Sequence, residues 1–163
     1  MFRFRQSSLD SPRLLDSKLY DEQSFYPAFV ADIRQASVSI IIESPFISYR
    51  RVSYLLPAIK SAADRGVQIV INTRDPIEHD VGMQEQALEA IAELQELGAL
   101  VLFTTRLHRK LAVIDQSTLW EGSLNVLSQS DSCEIMRRIV SPVMCKELTN
   151  FISLQRWYNQ VKL

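Results

Sequence analysis

Six residues stand in one ordered array: His108, Lys110, Asp115, Gly122, Ser123 and Asn125, spaced H-x-K, four residues, D, six residues, G-S-x-N. An imidazole, an ammonium and two neutral hydrogen-bonding side chains at fixed spacing suit cleavage of a phosphodiester without a metal. The diester's negative charge repels oxygen nucleophiles, whereas a neutral imidazole escapes that repulsion and can form a covalent phospho-enzyme. Lys110, Ser123 and Asn125 suit the non-bridging oxygens and the charge that builds in the transition state. The leaving oxygen needs a proton. The only other histidine, His79, lies in Glu78-His79-Asp80 and reads as part of a solvated loop. The acid is therefore expected to be His108 of a second copy, in a two-fold dimer whose motifs face each other.

Glu134 is expected to fix the tautomer and orientation of the imidazole. Asp115 belongs to the catalytic array by spacing, but reads more strongly as a turn residue whose side chain bonds the backbone. Gly122 permits close approach of backbone to substrate or to a partner chain. Arg50, Arg51 and Arg109 are candidate substrate contacts. With Arg74, Arg106, Arg137 and Arg138 they would form a basic rim for a polyanion, the alternative being scattered surface arginines. Tyr49 and Tyr54 could stack on bases, although packing is the commoner use. Cys133 and Cys145 lack the spacing of a metal cluster and read as small buried residues.

The elements that must position these groups follow from periodicity. Ser24 is placed to cap a helix over 25–35, with Phe25, Phe29 and Ile33 on one side. The run 38–43 (VSIIIE) is a buried strand, and a helix is expected over 54–65, where Pro57 fits only the first turn. A second strand covers 67–73. An amphipathic helix over 84–97 has Ala87, Leu88, Ile91 and Leu94 inward and a solvated glutamate stripe outward. Strands are expected over 99–103, 110–114, 118–121 and 134–140, with a turn at Asp115. A C-terminal helix runs from Pro142 to about Asn159, packing Leu148, Ile152 and Trp157. His108 and Lys110, two apart, face one side. Ser123 and Asn125 do the same on the next strand's exit, and a helical turn after Asn125 would offer N–H groups to a phosphate.

The strand–helix alternation followed by a hairpin implies an α/β fold with a mixed sheet between helical layers. At 163 residues a single domain is expected over 23–163, preceded by an arm or linker over 1–22 that carries at most a short strand. Net charge is −1, so nucleic-acid binding would need a local patch. No apolar run is long enough for a bilayer, and the N-terminus lacks a secretory core. Two cysteines suggest a reducing cytoplasm.

The array resembles the signature of the phospholipase D superfamily. VSIIIE with Ser44-Pro45-Phe46, the strand VQIVINTR and the segment from Ser132 through Glu134 to Arg137 look like its single-motif, nuclease-like members. The resemblance covers about residues 24–160. It implies an α/β/α sandwich, a phosphohistidine intermediate, no metal or other cofactor, and paired motifs. By that resemblance His108 is nucleophile or acid, Lys110 and Asn125 bind phosphate, Ser123 supports them, Glu134 holds the histidine and Asp115 is structural. One motif per chain favours a homodimeric nuclease acting on DNA or RNA, with a helicase as a further partner and no membrane. The alternatives are a phospholipase or phosphatidyl transferase, and a silent module that binds nucleic acid or a helicase.

Overall fold

The computed structural model describes residues 16–153. Seven strands, β1 (Asp16–Asp21), β2 (Ser39–Glu43), β3 (Gln68–Thr73), β4 (Leu100–Phe103), β5 (Leu111–Ile114), β6 (Thr118–Gly122) and β7 (Ile135–Val140), form one sheet. Their order is β1-β7-β6-β5-β2-β3-β4. β2, β3 and β4 run parallel, and every other pairing is antiparallel. The two parallel crossovers pass through α2 (Tyr49–Asp64) and α3 (Val81–Glu96). Successive right-handed crossovers advancing in one direction place both helices on the same face. α1 (Phe25–Gln35) joins them there, while α4 (Pro142–Phe151) packs on the opposite face.

The alternation of side chains sets the two cores. Ile40, Ile42, Ile69, Ile71, Ala112, Ile114 and Trp120 pack with α1–α3. Ile41, Val70, Val113, Leu119 and Ile139 pack with Cys145, and Met144, Leu148 and Ile152 close over them. A strand covered on both faces has no reason to alternate, and all five residues of β2 are buried. The expected mixed sheet between helical layers is therefore present.

Several local expectations change. Ser24 does not cap α1, because its hydroxyl accepts from the Asp21 N–H and donates to the Asp21 carboxylate. α2 begins at Tyr49 rather than Tyr54: Ser48 is extended and its Oγ accepts from the Arg51 N–H. Pro57 then lies mid-helix, on the exposed side, where the loss of one helical hydrogen bond disturbs no packed layer. α3 begins three residues earlier than expected, and Leu88 is 53% exposed while Ala90 is buried. The short strand that the reading of 1–22 allowed for is β1, an edge strand paired to β7. Trp157 lies outside the described residues.

Asp115 locks the hairpin to the parallel half of the sheet. It and Gln116 have φ values of 51° and 52°, as two-residue hairpin turns require. Its carboxylate accepts from the N–H groups of Ser37, Val38 and Ser39 at 2.9, 2.8 and 2.9 Å, and from the Ser37 hydroxyl at 3.1 Å. Burial pushes this carboxyl up, but the bonds from Ser39, Val38 and Ser37 outweigh it and hold the group below its ordinary value. A depressed carboxylate stabilises the fold above its ordinary titration range, and that stability is lost as pH falls through the depressed value. Asp115→Ala is expected to cost about 1–3 kcal/mol at neutral pH, read from urea midpoints. The gap to wild type should shrink as the solution is acidified below the ordinary carboxylate range; a gap unchanged at low pH would refute the assignment.

Candidate active site

The segment between β4 and β5 carries His108, and three contacts shape it. The Leu107 side chain is buried, the Arg74 Nε–H donates to the Leu107 carbonyl at 2.7 Å, and Arg106 takes a positive φ of 57°. The Arg74 guanidinium also lies 5.0 Å from the Phe46 ring. With the chain pinned at Leu107, the next three side chains alternate. His108 is exposed, Arg109 turns to the buried end of β2, and Lys110 is half-buried beside His108.

Arg109 meets Glu43, which is fully buried, through Nε at 2.5 Å and Nη2 at 2.9 Å. Asn72 Nδ2 donates to the same carboxylate at 2.8 Å, and the Thr104 hydroxyl donates to Asn72 Oδ1 at 2.9 Å. The Glu43 hydrogen bond leads in raising the Arg109 pKa above its ordinary value. Arg109, expected among the substrate contacts, is thus bound to a carboxylate in the sheet. In the sequence Glu43 stands only as the last residue of a strand, and its one signal is a lone charge ending an apolar run.

Lys110 Nζ donates to the His108 carbonyl at 2.9 Å and lies 3.2 Å from His108 Nδ1. Burial lowers the Lys110 pKa, the Glu134 carboxylate opposes that shift, and the Arg74 charge adds to it. β6 returns alongside, and the Gly122 N–H donates to the Lys110 carbonyl at 3.3 Å. Ser123 follows; its Oγ accepts from the Ile135 N–H at 3.1 Å, which leaves its own proton free to donate. The Asn125 carbonyl accepts from Ser128 and Gln129 in the expected helical turn, and Asn125 Oδ1 is buried with no partner among the described residues.

Gly122 is explained by its own chain. A Cβ there would stand 2.1 Å from the Ile135 carbonyl oxygen and 2.9 Å from the Met136 Cα. Glu134 accepts from the Ser132 hydroxyl at 2.7 Å, and Ser132 bonds in turn to buried Gln129. Among the described residues no hydrogen bond joins Glu134 to His108. Arg51 donates to the Gln129 carbonyl at 3.1 and 2.6 Å and lies 3.8 Å from the Tyr26 ring, so it supports the loop that carries Glu134. Arg50 is exposed with no partner among the described residues. Arg138 is held by Asp32, which also accepts from the Trp120 Nε1–H. Tyr54 packs edge-on against Tyr26, and the Tyr49 hydroxyl reaches Glu93.

Asp115 lies at the opposite end of β5 from Lys110, about 17 Å away at five extended rises. His79 is not solvated: it is 8% exposed, its ring centroid 5.2 Å from that of Phe46, and burial leads in lowering its pKa. Cys133, expected to be buried, is exposed; Cys145 is buried, which pushes its thiol up to about 11.

The sequence profile of the family described as "Cardiolipin synthase, PLD-like domain" matches residues 29–156. The chain belongs to the phospholipase D superfamily. Its fold is similar to that of the phospholipase D family member Nuc from Salmonella typhimurium, at a TM-score of 0.70 and 17% identity, covering 91% of this chain and 95% of that one. It is similar to NucT from Helicobacter pylori at 0.69 and 18%, covering 84% and 92%. Polyphosphate kinase from Porphyromonas gingivalis matches at 0.67 and 11%, covering 85% of this chain but 25% of that one. No curated protein sequence matches the chain.

In this phospholipase D-type domain, the Glu43–Arg109 pair decides which way the motif faces. Removing one partner of a buried pair leaves an uncompensated charge, a loss reduced here because Arg109 is partly exposed. Arg109→Leu is expected to lower stability by about 2–3 kcal/mol, and Glu43→Leu/Arg109→Leu by less, measured as a double-mutant cycle in urea. Additive single losses would show that the pair is not coupled. Gly122→Ala is expected to lower stability by about 1–3 kcal/mol, since the β7 backbone must move; an unchanged melting temperature would contradict the close approach.

Proposed function

We propose that the chain is a metal-independent nuclease that cleaves a phosphodiester of DNA or RNA through a phosphohistidine, at a site shared by two copies. The observation that carries this reading is the Lys110 ammonium held 3.2 Å from His108 Nδ1, with the Ser123 strand exit beside it. A phosphate entering there meets a cation, a free hydroxyl proton and an imidazole. Nε2 of a neutral His108 attacks phosphorus, and the P–O bond to the leaving oxygen breaks. That oxygen takes a proton from the protonated His108 of the second copy. Water then attacks the phosphohistidine, gives its proton to the second imidazole, and the P–N bond breaks. Glu134, whose charge already acts on Lys110, receives the Nδ1–H of the attacking ring once phosphate draws Lys110 away.

The fold match to Nuc and NucT supports the nuclease reading over the lipid one. The family description favours phosphatidyl transfer as the second reading. No helix among the described residues is long and apolar enough to cross a membrane.

The test is incubation with end-labelled single- and double-stranded DNA and RNA in excess EDTA, beside His108→Ala and phosphatidylglycerol vesicles. Cleavage of nucleic acid that survives EDTA and falls by roughly a thousandfold or more in His108→Ala is expected. Undiminished cleavage by His108→Ala would overturn the mechanism. Turnover of the lipid alone would establish the second reading, and a catalytically competent monomer would exclude the shared site.

A further inference from the structure

Two peptide groups flank His108, and a cation holds each of them. Lys110 Nζ donates to the His108 carbonyl at 2.9 Å, and the Arg74 Nε–H donates to the Leu107 carbonyl at 2.7 Å. A peptide group is planar, so a bond to the Leu107 carbonyl fixes the plane that also contains the His108 N–H. The orientation of that plane governs how the imidazole leaves the chain. Among the described residues the main chain of 107–109 makes one further hydrogen bond, from the Leu107 N–H to the Thr104 carbonyl at 3.2 Å.

Arg74 is itself braced. It follows β3, whose Thr73 pairs with Phe103 at the end of β4, so the segment leading to His108 starts beside it. Its backbone N–H donates to the Pro45 carbonyl at 3.4 Å, and its guanidinium lies 5.0 Å from the Phe46 ring. Phe46 is backed in turn by the buried His79 ring, 5.2 Å away. Burial lowers the His79 pKa, the Pro45 carbonyl opposes that shift, and the Arg74 charge adds to it, so this ring is uncharged at neutral pH. No carboxylate pairs with Arg74 among the described residues. Asp75, next in the chain, accepts from the Ile77 N–H instead. The partners of the guanidinium are thus a carbonyl and a ring.

We propose that Arg74 is a positioning residue for the nucleophile: it holds the Leu107 carbonyl, and through it His108, during the step in which phosphate draws Lys110 away. The proposal rests on the phosphohistidine mechanism above. By sequence Arg74 belongs to a basic rim for a polyanion, and its contacts give it this other task. When Lys110 turns to the phosphate, the His108 carbonyl loses its partner, and the Arg74 bond is the side-chain clamp that remains on the two peptides. A charge-assisted bond suits that task, because it is strong and is made before any substrate arrives. A guanidinium suits it better than an ammonium, since its Nε–H has a fixed direction while the rest of the cation sits by the Phe46 ring. Arg74 also acts on Lys110. Burial lowers the Lys110 pKa, Glu134 opposes that, and the Arg74 charge adds to the lowering. Repulsion from a fixed Arg74 therefore favours the movement of Lys110 toward an anion.

Arg74→Met keeps the stem and removes the bond and the charge, whereas Arg74→Lys keeps a charge on a donor of no fixed direction. Per folded enzyme, Arg74→Met should lower kcat by about a hundredfold on both a short single-stranded DNA oligonucleotide and methyl 4-nitrophenyl phosphate. KM for each should stay within about twofold of wild type, and Arg74→Lys should recover about tenfold of the loss on both. A polyanion contact gives the other split, in which KM rises for the oligonucleotide and the small diester is untouched. A loss confined to the oligonucleotide, or kcat unchanged on both, would overturn the positioning role. If Arg74→Met does not fold, Arg74→Lys against wild type carries the same comparison. If the wild type turns over neither substrate, trypsin cleavage of the native protein after Arg106 and Arg109 decides. Cleavage there about tenfold faster in Arg74→Met, relative to the domain's other lysines and arginines, upholds the clamp while the reaction reading fails. A uniform change, or none, rejects it.

Discussion

A carboxylate with no access to solvent sits at the end of β2, and the site is arranged around its neutralisation. Glu43 has Arg109, Asn72 and, through Asn72, Thr104 as partners, so one hydrogen-bonded row links β2 and β3 to the segment between β4 and β5. Leaving such a charge unpaired costs several kcal/mol. The segment therefore has one acceptable register, the one in which Arg109 turns inward. Alternation then sends His108 and Lys110 the other way. The pair contributes less by its net stability than by excluding the alternative in which the motif faces the core.

The two halves of the sheet do different work. The parallel half, with its two helical crossovers, supplies a core buried on both faces and a rigid end at β2 and β3. The antiparallel half returns β6 beside β5, so that Ser123 and Lys110, distant in sequence by one hairpin, meet at that end. β7 adds the clamp on Ser123: its backbone fills the space that a side chain at Gly122 would need. The loop carrying Glu134 is held in turn by Gln129 and by Arg51 stacked on Tyr26.

Most of the architecture is legible in the sequence because apolar runs and glycine stops are local signals. VSIIIE and VQIVINT could be little else than strands, and Gly66 and Gly98, at φ 80° and 84°, end helices where a side chain would be strained. What was not legible depends on partners distant in the chain. Ser24 looks like a cap until Asp21 competes for its hydroxyl. Pro57 looks like a first-turn residue because nothing local shows that Ser48 caps a helix that starts earlier. Arg51 and Arg109 look like free cations because Gln129 and Glu43 lie 78 and 66 positions away. His79, flanked by two acids, looks solvated, and only the fold brings Phe46 against it.

The interval between Lys110 and Asp115 is filled by β5, four residues running from one end of the sheet to the other. Asp115 is nailed to the backbone of residues 37–39 at one end, and Arg109 to Glu43 at the other. The motif's spacing is thus a ruler laid across the sheet, and its parity matters as much as its length. One inserted residue would keep every functional side chain in the chain yet turn His108 and Lys110 onto the wrong face, whereas a substitution removes one group and leaves the others aimed. Insertions and deletions within 110–115 are for this reason a harsher test of the domain than any single replacement there.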